Sequence, residues 1–399
     1  MSPKRRSARS NTSVALLTII VLIVIGLYNF LTGKGPEETF PQLTATPVSV
    51  FATATAPVVA PTSVNASGSW WEVYFTDPQH INNPQDWQGS IEGRLIEKIN
   101  AAQTSIHIAS FEMDLTPVAE ALIAAKQRGV DVRWVTDDES GLEADEEPDR
   151  GQFKMLQDAG IEVRSDTRSA LMHNKFWIFD GQTVWTGSTN ITESGIFKQD
   201  NNTIVIQSPA VAAIYENEFQ EMWNGEFGPR SPSQIDQQST VVNGTPVQVI
   251  FTSEDKAIEQ AILPVVGSAT RSIRFLAFSF TDFPLAEAML QRAQNGVDVA
   301  GVFEKVGSDT DAAELKTLYC AKIPVRRDGN SGFMHNKVIV VDERYVVTGS
   351  LNFSSNAEDS NDENVIIIDN PEIARLYIQD FNRIWSQAAD PEPAKFPCP

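Results

Sequence analysis

Residues 172–190 read MHNKFWIFDGQTVWTGSTN, and residues 334–352 read MHNKVIVVDERYVVTGSLN. Each stretch holds a histidine, a lysine two positions on, an aspartate five further, and then Gly-Ser-x-Asn. The sets are His173, Lys175, Asp180, Gly187, Ser188, Asn190 and His335, Lys337, Asp342, Gly349, Ser350, Asn352, and every member is displaced from its counterpart by the same interval. The chain has only four histidines, so half of them stand at this one duplicated place. Two identical constellations in a single chain point to one site built from two halves.

The repeat extends beyond the motif. Residues 105–138 align with 272–305, a displacement slightly larger than that of the motifs, so the second copy is five residues shorter before its motif. In both, an apolar run (Ile106 to Phe111, Ile273 to Phe278) reads as a buried strand. Pro117 and Pro284 stand near a helix start, where proline is tolerated. Ala119, Leu122, Ile123 and Ala286, Met289, Leu290 keep helical spacing, and Gly129 and Gly296 stand where a helix C-cap belongs. Strands follow at Val130–Val135 and Val297–Phe303, which completes a parallel crossover unit. Earlier short strands (Val73–Phe75, Val247–Phe251) and helices (91–102, 256–266) open each copy. The pattern predicts an α/β fold of two homologous lobes, 70–229 and 246–388, each a mixed sheet flanked by helices and related by a pseudo-twofold axis. A polar linker, 230–245, joins them, and a tail, 389–399, follows.

On a strand, residues i and i+2 share a face. His173 and Lys175, and likewise His335 and Lys337, therefore project together. The return strand Val184–Thr186 delivers Gly187-Ser188, small enough for close approach, and then Asn190. Paired lobes converge two imidazoles, two ammonium groups and two amides. Lysine and asparagine donors suit anionic oxygens, and two histidines supply a nucleophile and an acid. That set fits a phosphodiester, with the lysines neutralising its charge, so neither metal nor cofactor is expected.

HxKxxxxD followed by GSxN, present twice, resembles the phospholipase D superfamily over both lobes. The resemblance implies a covalent phosphohistidine and gives Asp180 and Asp342 a supporting role. It also implies a carboxylate behind the imidazole. Such a carboxylate follows His335 at Glu363, whereas the same spacing counted from His173 falls on Asn201. A carboxylate at Nδ1 favours the imidazolium. On that reading His335, backed by Glu363, is the acid and His173, held by Asn201, is the nucleophile. Asp200 is an alternative partner on the lobe 1 side. The remaining histidines, His80 and His107, read as structural.

Within the superfamily the expectation is a phospholipid hydrolase acting as a monomeric body. The alternatives are an exported nuclease, a phosphatidyltransferase and a non-catalytic module. The formal charge of −21 argues against a surface built for nucleic-acid phosphates. Residues 14–31 are almost wholly apolar behind Lys4, Arg5, Arg6 and Arg9, which predicts a single-pass anchor, with a cleaved signal peptide as the alternative, and the body outside the cytoplasm, at a cell surface or in a periplasm. A Pro/Thr/Ala-rich stalk, 32–69, follows. Cys320 and Cys398 read as isolated thiols, or as a pair if the body is exported. The acidic run Asp137–Asp149 reads as a solvated loop.

Overall fold

The computed structural model describes residues 65–398. The expected anchor at 14–31 and all but the last residues of the expected stalk lie outside them. Among the described residues no helix is long and apolar enough to cross a membrane.

Lobe 1 is a mixed eight-stranded sheet of β1 (Ala66–Ser67), β2 (Trp71–Phe75), β3 (Ser105–Ser110), β4 (Asp131–Thr136), β5 (Glu162–Ser165), β6 (Lys175–Phe179), β7 (Thr183–Gly187) and β8 (Asn202–Gln207). Their order is β1-β2-β8-β7-β6-β3-β4-β5. Lobe 2 repeats it with β9 (Ser239–Val242), β10 (Thr245–Thr252), β11 (Ser272–Ala277), β12 (Asp298–Phe303), β13 (Val325–Arg327), β14 (Lys337–Val341), β15 (Tyr345–Gly349) and β16 (Glu363–Asp369), in the order β13-β12-β11-β14-β15-β16-β10-β9. The crossover strands β3 and β4 pair in parallel, as do β11 and β12, while each motif strand (β6, β14) runs antiparallel to its neighbours. The motif strands read KFWIF and KVIVV and are buried along their whole length, as a sheet covered on both faces requires.

One apolar core is shared by both lobes, and each lobe keeps a second core of its own. The shared core contains the long helices Pro209–Trp223 and Pro371–Gln387. Each sends a tyrosine into the other lobe: Tyr215 meets Phe251 edge-on at 5.4 Å between ring centroids, and Tyr377 meets Phe75 at 5.1 Å. The same contact made in both directions is the pseudo-twofold relation in side chains.

Three boundaries differ from the sequence reading. Ala66–Ser67, taken with the stalk, pairs with β2 as the edge strand of lobe 1. Ser239–Val242, taken as linker, pairs with β10 as the edge strand of lobe 2. The tail belongs to lobe 2. Ala389 bridges Arg327, Phe396 is buried, and Cys398 forms a disulfide with Cys320 far back along the chain. The isolated-thiol reading is thereby corrected. These segments lack strong periodicity because they sit at edges, where backbone pairing with a longer neighbour does the ordering.

Candidate active site

The two motifs meet at the junction of the lobes, and the backbone stitches them together symmetrically. His173 N–H donates to Asp362 O at 2.9 Å and Asp362 N–H to Leu171 O at 2.9 Å. His335 N–H donates to Asp200 O at 2.8 Å and Asp200 N–H to Phe333 O at 2.9 Å. Each histidine thus enters its strand already paired to the other lobe.

The side chains cross in the same way. His173 Nδ1 lies 2.7 Å from Glu363 Oε2. His335 Nδ1 lies 3.0 Å from Asn201 Oδ1 and 3.1 Å from Ser188 O. The expected pairing of Glu363 with His335, and of Asn201 with His173, is therefore wrong in its partners. The spacing from each histidine to Asn201 or Glu363 is the same in both lobes, but the chain entering β8 and β16 presents these residues to the opposite lobe. Asp200 does not substitute for Asn201, because its carboxylate is held by Asn330 and the buried Arg383. All the acceptors at Nδ1 are oxygens, so both rings carry hydrogen on Nδ1 and turn Nε2 to the site.

The serines orient these partners. Ser188 Oγ donates to Asn201 Oδ1 at 2.8 Å, and Ser350 bonds the Glu363 carboxylate. The preceding glycines are required by contact. At Gly187 (φ 147°) a Cβ would stand 2.3 Å from Asn202 O, and at Gly349 (φ 147°) it would stand 2.1 Å from Asn364 O.

Lys175 and Lys337 are buried, and each donates to the carbonyl of its own motif histidine at 2.8 Å. Their ammonium groups lie over Phe111 and Phe278, at 5.0 and 4.6 Å from the ring centroids. The same rings meet His173 and His335 edge-on. Burial pulls Lys175 down to about 8, against the carboxylates of Glu363, Glu112 and Asp137. Burial and the neighbouring Lys175 hold Lys337 well below its usual range. Burial and the two ammonium groups hold both imidazoles well below theirs, and burial pushes Glu363 up to about 7. The two lysines disfavour each other's charge, and an entering anion favours the ammonium form of both.

Asp180 and Asp342 stand apart from this pocket. Asp180 accepts from the backbone N–H groups of Gln103, Thr104 and Ser105, and Asp342 from those of Thr270, Arg271 and Ser272. Slight burial opposes ionisation, but these donors prevail and bring Asp342 down to about 2. Both carboxylates tie the end of a motif strand to the loop before β3 or β11. Asn190 and Asn352 each bury an Oδ1 with no hydrogen-bond partner, and Asn190 Nδ2 donates to Glu112 Oε1 at 2.7 Å. His107 stacks on Phe219 and bonds Glu216, and His80 bonds Asp77, both away from the motifs.

Four asparagines escaped the sequence reading. Asn364 Nδ2 donates to Asn174 Oδ1 at 3.0 Å, and Asn202 Nδ2 to Asn336 Oδ1 at 2.7 Å. Thr186 and Thr348 complete the pair by donating to Asn364 and Asn202. These bonds lie directly behind the motifs and lock one lobe to the other. The signal was present, since Asn174 and Asn336, like Asn202 and Asn364, are displaced by the same interval as the motif histidines.

The acidic run is also different from a solvated loop at its start. Asp137 is 1% exposed and accepts from Met172 N–H and Ser140 N–H. Asp137, Asp138 and Asp166 bring carboxylate oxygens within 4.8 Å of one another. Arg168 lies beside them, paired with Asp166 and Asp362.

A family model described as "Cardiolipin synthase, PLD-like domain" matches residues 95–223 and 262–385. The chain belongs to the phospholipase D superfamily. A mitochondrial cardiolipin hydrolase of Xenopus laevis is 34% identical over 133 residues, covering 33% of this chain and 63% of that relative. A phospholipase D of Rickettsia conorii is 35% identical over 116 residues, covering 29% of this chain and 58% of the relative. The chain thus spans less than two thirds of the length of these curated relatives. The phosphatidylserine synthase structure from Haemophilus influenzae superposes with a TM-score of 0.56 over 75% of this chain and 86% of its own, at 18% identity, which marks the shared two-lobe phospholipase D-like fold.

Proposed function

We propose that this protein is a phosphodiesterase that hydrolyses the headgroup ester of phospholipids through a phosphohistidine. The observation that carries the reading is the crossed pair of imidazoles, each with Nδ1 held by the opposite lobe and Nε2 free beside two buried lysines. His173 Nε2 attacks phosphorus, and a P–N bond forms as the P–O bond to the leaving alcohol breaks. His335, protonated at Nε2 once the bound phosphate anion offsets the charge of the lysines, gives that proton to the departing oxygen. His335, now neutral, takes a proton from water, whose oxygen displaces His173 from phosphorus. Lys175, Lys337, Asn190 and Asn352 neutralise and hold the non-bridging oxygens.

The roles rest on when each ring is cationic. Burial and the lysines disfavour either imidazolium before substrate arrives, so the resting state does not separate the histidines. The covalent stage does. A phosphorylated His173 keeps hydrogen on Nδ1 and carries positive charge, which the Glu363 carboxylate stabilises. His335, held by an amide and a carbonyl, binds its proton less tightly and releases it more readily to the alkoxide.

Three features support a lipid substrate. The formal charge of −21 disfavours polyanions. Phe333 and Val306, 39% and 53% exposed, put apolar surface beside His335: Phe333 packs on Phe278, and Glu304 accepts from both Val306 N–H and Met334 N–H. The apolar run at 14–31 would hold the body at a bilayer, outside the cytoplasm, where the Cys320–Cys398 bridge persists. Both halves of the site lie in one chain, which supports a monomeric catalytic body.

The test offers the protein mixed phospholipid vesicles and single-stranded DNA, with EDTA present. Phosphatidic acid and free headgroup are the expected products, with both lost in His173→Ala and His335→Ala. Oligonucleotide products with intact lipid would replace this reading by a nuclease. Phosphatidyl transfer to an added alcohol, without phosphatidic acid, would replace it by a transferase.

A further inference from the structure

The two walls of the site are unequal. Phe111 and Phe278 are equivalent, packing on His173 and His335, but the next residue is Glu112 in lobe 1 and Ser279 in lobe 2. Glu112 Oε1 takes the Asn190 amide at 2.7 Å. Its Oε2 forms a loose ion pair with Arg150 at 3.7 Å, which helps hold the carboxyl ionised. The Glu112 side chain is 19% exposed, and its charge acts directly on Lys175. A carboxylate therefore stands against the pocket where a phosphodiester anion must bind.

Orientation of Asn190 does not by itself explain this charge. A glutamine would accept the same hydrogen bond without repelling phosphate. Burial also opposes the ionised carboxyl, with Arg150 and Lys175 working against it. The site's two ammonium groups already face Glu363, and Glu112 offsets a further part of their charge. A substrate with only its phosphate charge gains least from such a wall. One that brings its own cationic donor gains a charge-assisted hydrogen bond to Glu112 Oε2.

We propose that Glu112 is a specificity-determining residue that selects zwitterionic phosphodiesters in which an alcohol substituent carries a primary ammonium group. The inference rests on the phosphodiesterase reading above and names the substrate class of that site. A quaternary ammonium, with charge but no N–H, and a neutral hydroxyl, with a donor but no charge, each satisfy the wall in part.

The experiment compares the wild-type protein with Glu112→Gln and Glu112→Ser on three soluble methyl phosphodiesters, whose departing substituent is 2-aminoethyl, 2-(trimethylammonio)ethyl or 2-hydroxyethyl. Ethanolamine, choline and glycerol phospholipid vesicles run in parallel. The quantity read is the ratio of kcat/KM values. The wild type should favour aminoethyl over trimethylammonioethyl by roughly tenfold, as a charge-assisted hydrogen bond implies. Glu112→Gln should keep the Asn190 contact yet bring that ratio close to one, and Glu112→Ser should do the same with a lower overall rate. An equal loss on all three diesters would reduce Glu112 to positioning Asn190 and overturn the inference, as would an unchanged ratio. Turnover of the soluble diesters without turnover of any vesicle would sink the lipid reading alone and leave the ratios decisive for Glu112. No turnover of either would overturn both.

Discussion

At the scale of single residues, the identity of Glu363 and Asn201 separates two otherwise matching histidines. Glu363→Gln keeps an acceptor at His173 Nδ1 but removes the charge that stabilises the phosphorylated ring. It should lower kcat by about 10²-fold or more, as neutralising the carboxylate behind an active-site histidine does elsewhere, with folding unchanged by thermal melt. A loss under threefold would show that the ring does not become cationic at His173. The pH profile follows from the same groups. Lys175 titrates near 8 in the free protein, and only its protonated form binds the anion, so kcat/KM should fall as pH rises through about 8. Glu363, near 7, is ionised only above that value, so kcat/KM should also fall below about 7. A flat profile from pH 6 to 9 would exclude both groups. His, Lys and the GSxN residues were legible because chemistry demands those types at a strand's period of two. The partner of each ring was not, because spacing along one chain does not say which lobe a strand end faces.

At the scale of elements, strands and crossover helices were readable where apolar periodicity was strong, and unreadable at the sheet edges. Ala66–Ser67 and Ser239–Val242 are short and largely at the surface, and they are ordered by β2 and β10. The C-terminal segment is ordered by Phe396 in the lobe 2 core and by the bridge from Cys398 to Cys320, which ends the helix Leu315–Cys320. Closing so long a loop stabilises by about 2–4 kcal/mol. Cys320→Ser should therefore lower the melting temperature by several degrees and make it insensitive to reductant, whereas the wild type should lose the same amount when reduced. Equal melting of reduced and oxidised wild type would show that the tail contributes no restraint.

At the scale of the whole molecule, the lobes are joined through a band of polar groups rather than by apolar packing alone. Asn174, Asn202, Asn336 and Asn364 lie at its centre, and a nest of carboxylates lies to one side. Burial pushes Asp166 and Asp362 up to about 7 and Glu254 to about 8, and each is raised further by carboxylate neighbours. Arg168 opposes this at Asp166 and Asp362. For a carboxyl whose folded value is raised, the folded state holds more protons than the unfolded one, so the contribution is full below about 4 and declines as pH rises toward 7–8. Melting temperature should accordingly decrease from pH 5 to pH 8. Asp166→Asn should flatten that decrease, while Glu120→Gln on an exposed helix face leaves it unchanged. An Asp166→Asn protein with the wild-type slope would remove the nest as its source. The sequence showed Asp137 only as the start of the acidic run Asp137–Asp149, and Asp166, Glu254 and Asp362 lie outside that run; their burial was invisible there because tertiary packing brings them together.

The crossed site is tested most directly by a burst experiment with a 4-nitrophenyl phosphodiester, whose leaving group departs without a proton. His335→Ala should release about one equivalent of 4-nitrophenol per protein and then stall, because no base remains to activate water. Peptide mapping after alkaline quench should place phosphorus on His173. His173→Ala should show no burst. A stoichiometric burst from His173→Ala with phosphorus on His335, or turnover by either variant at the wild-type rate, would contradict the assignment.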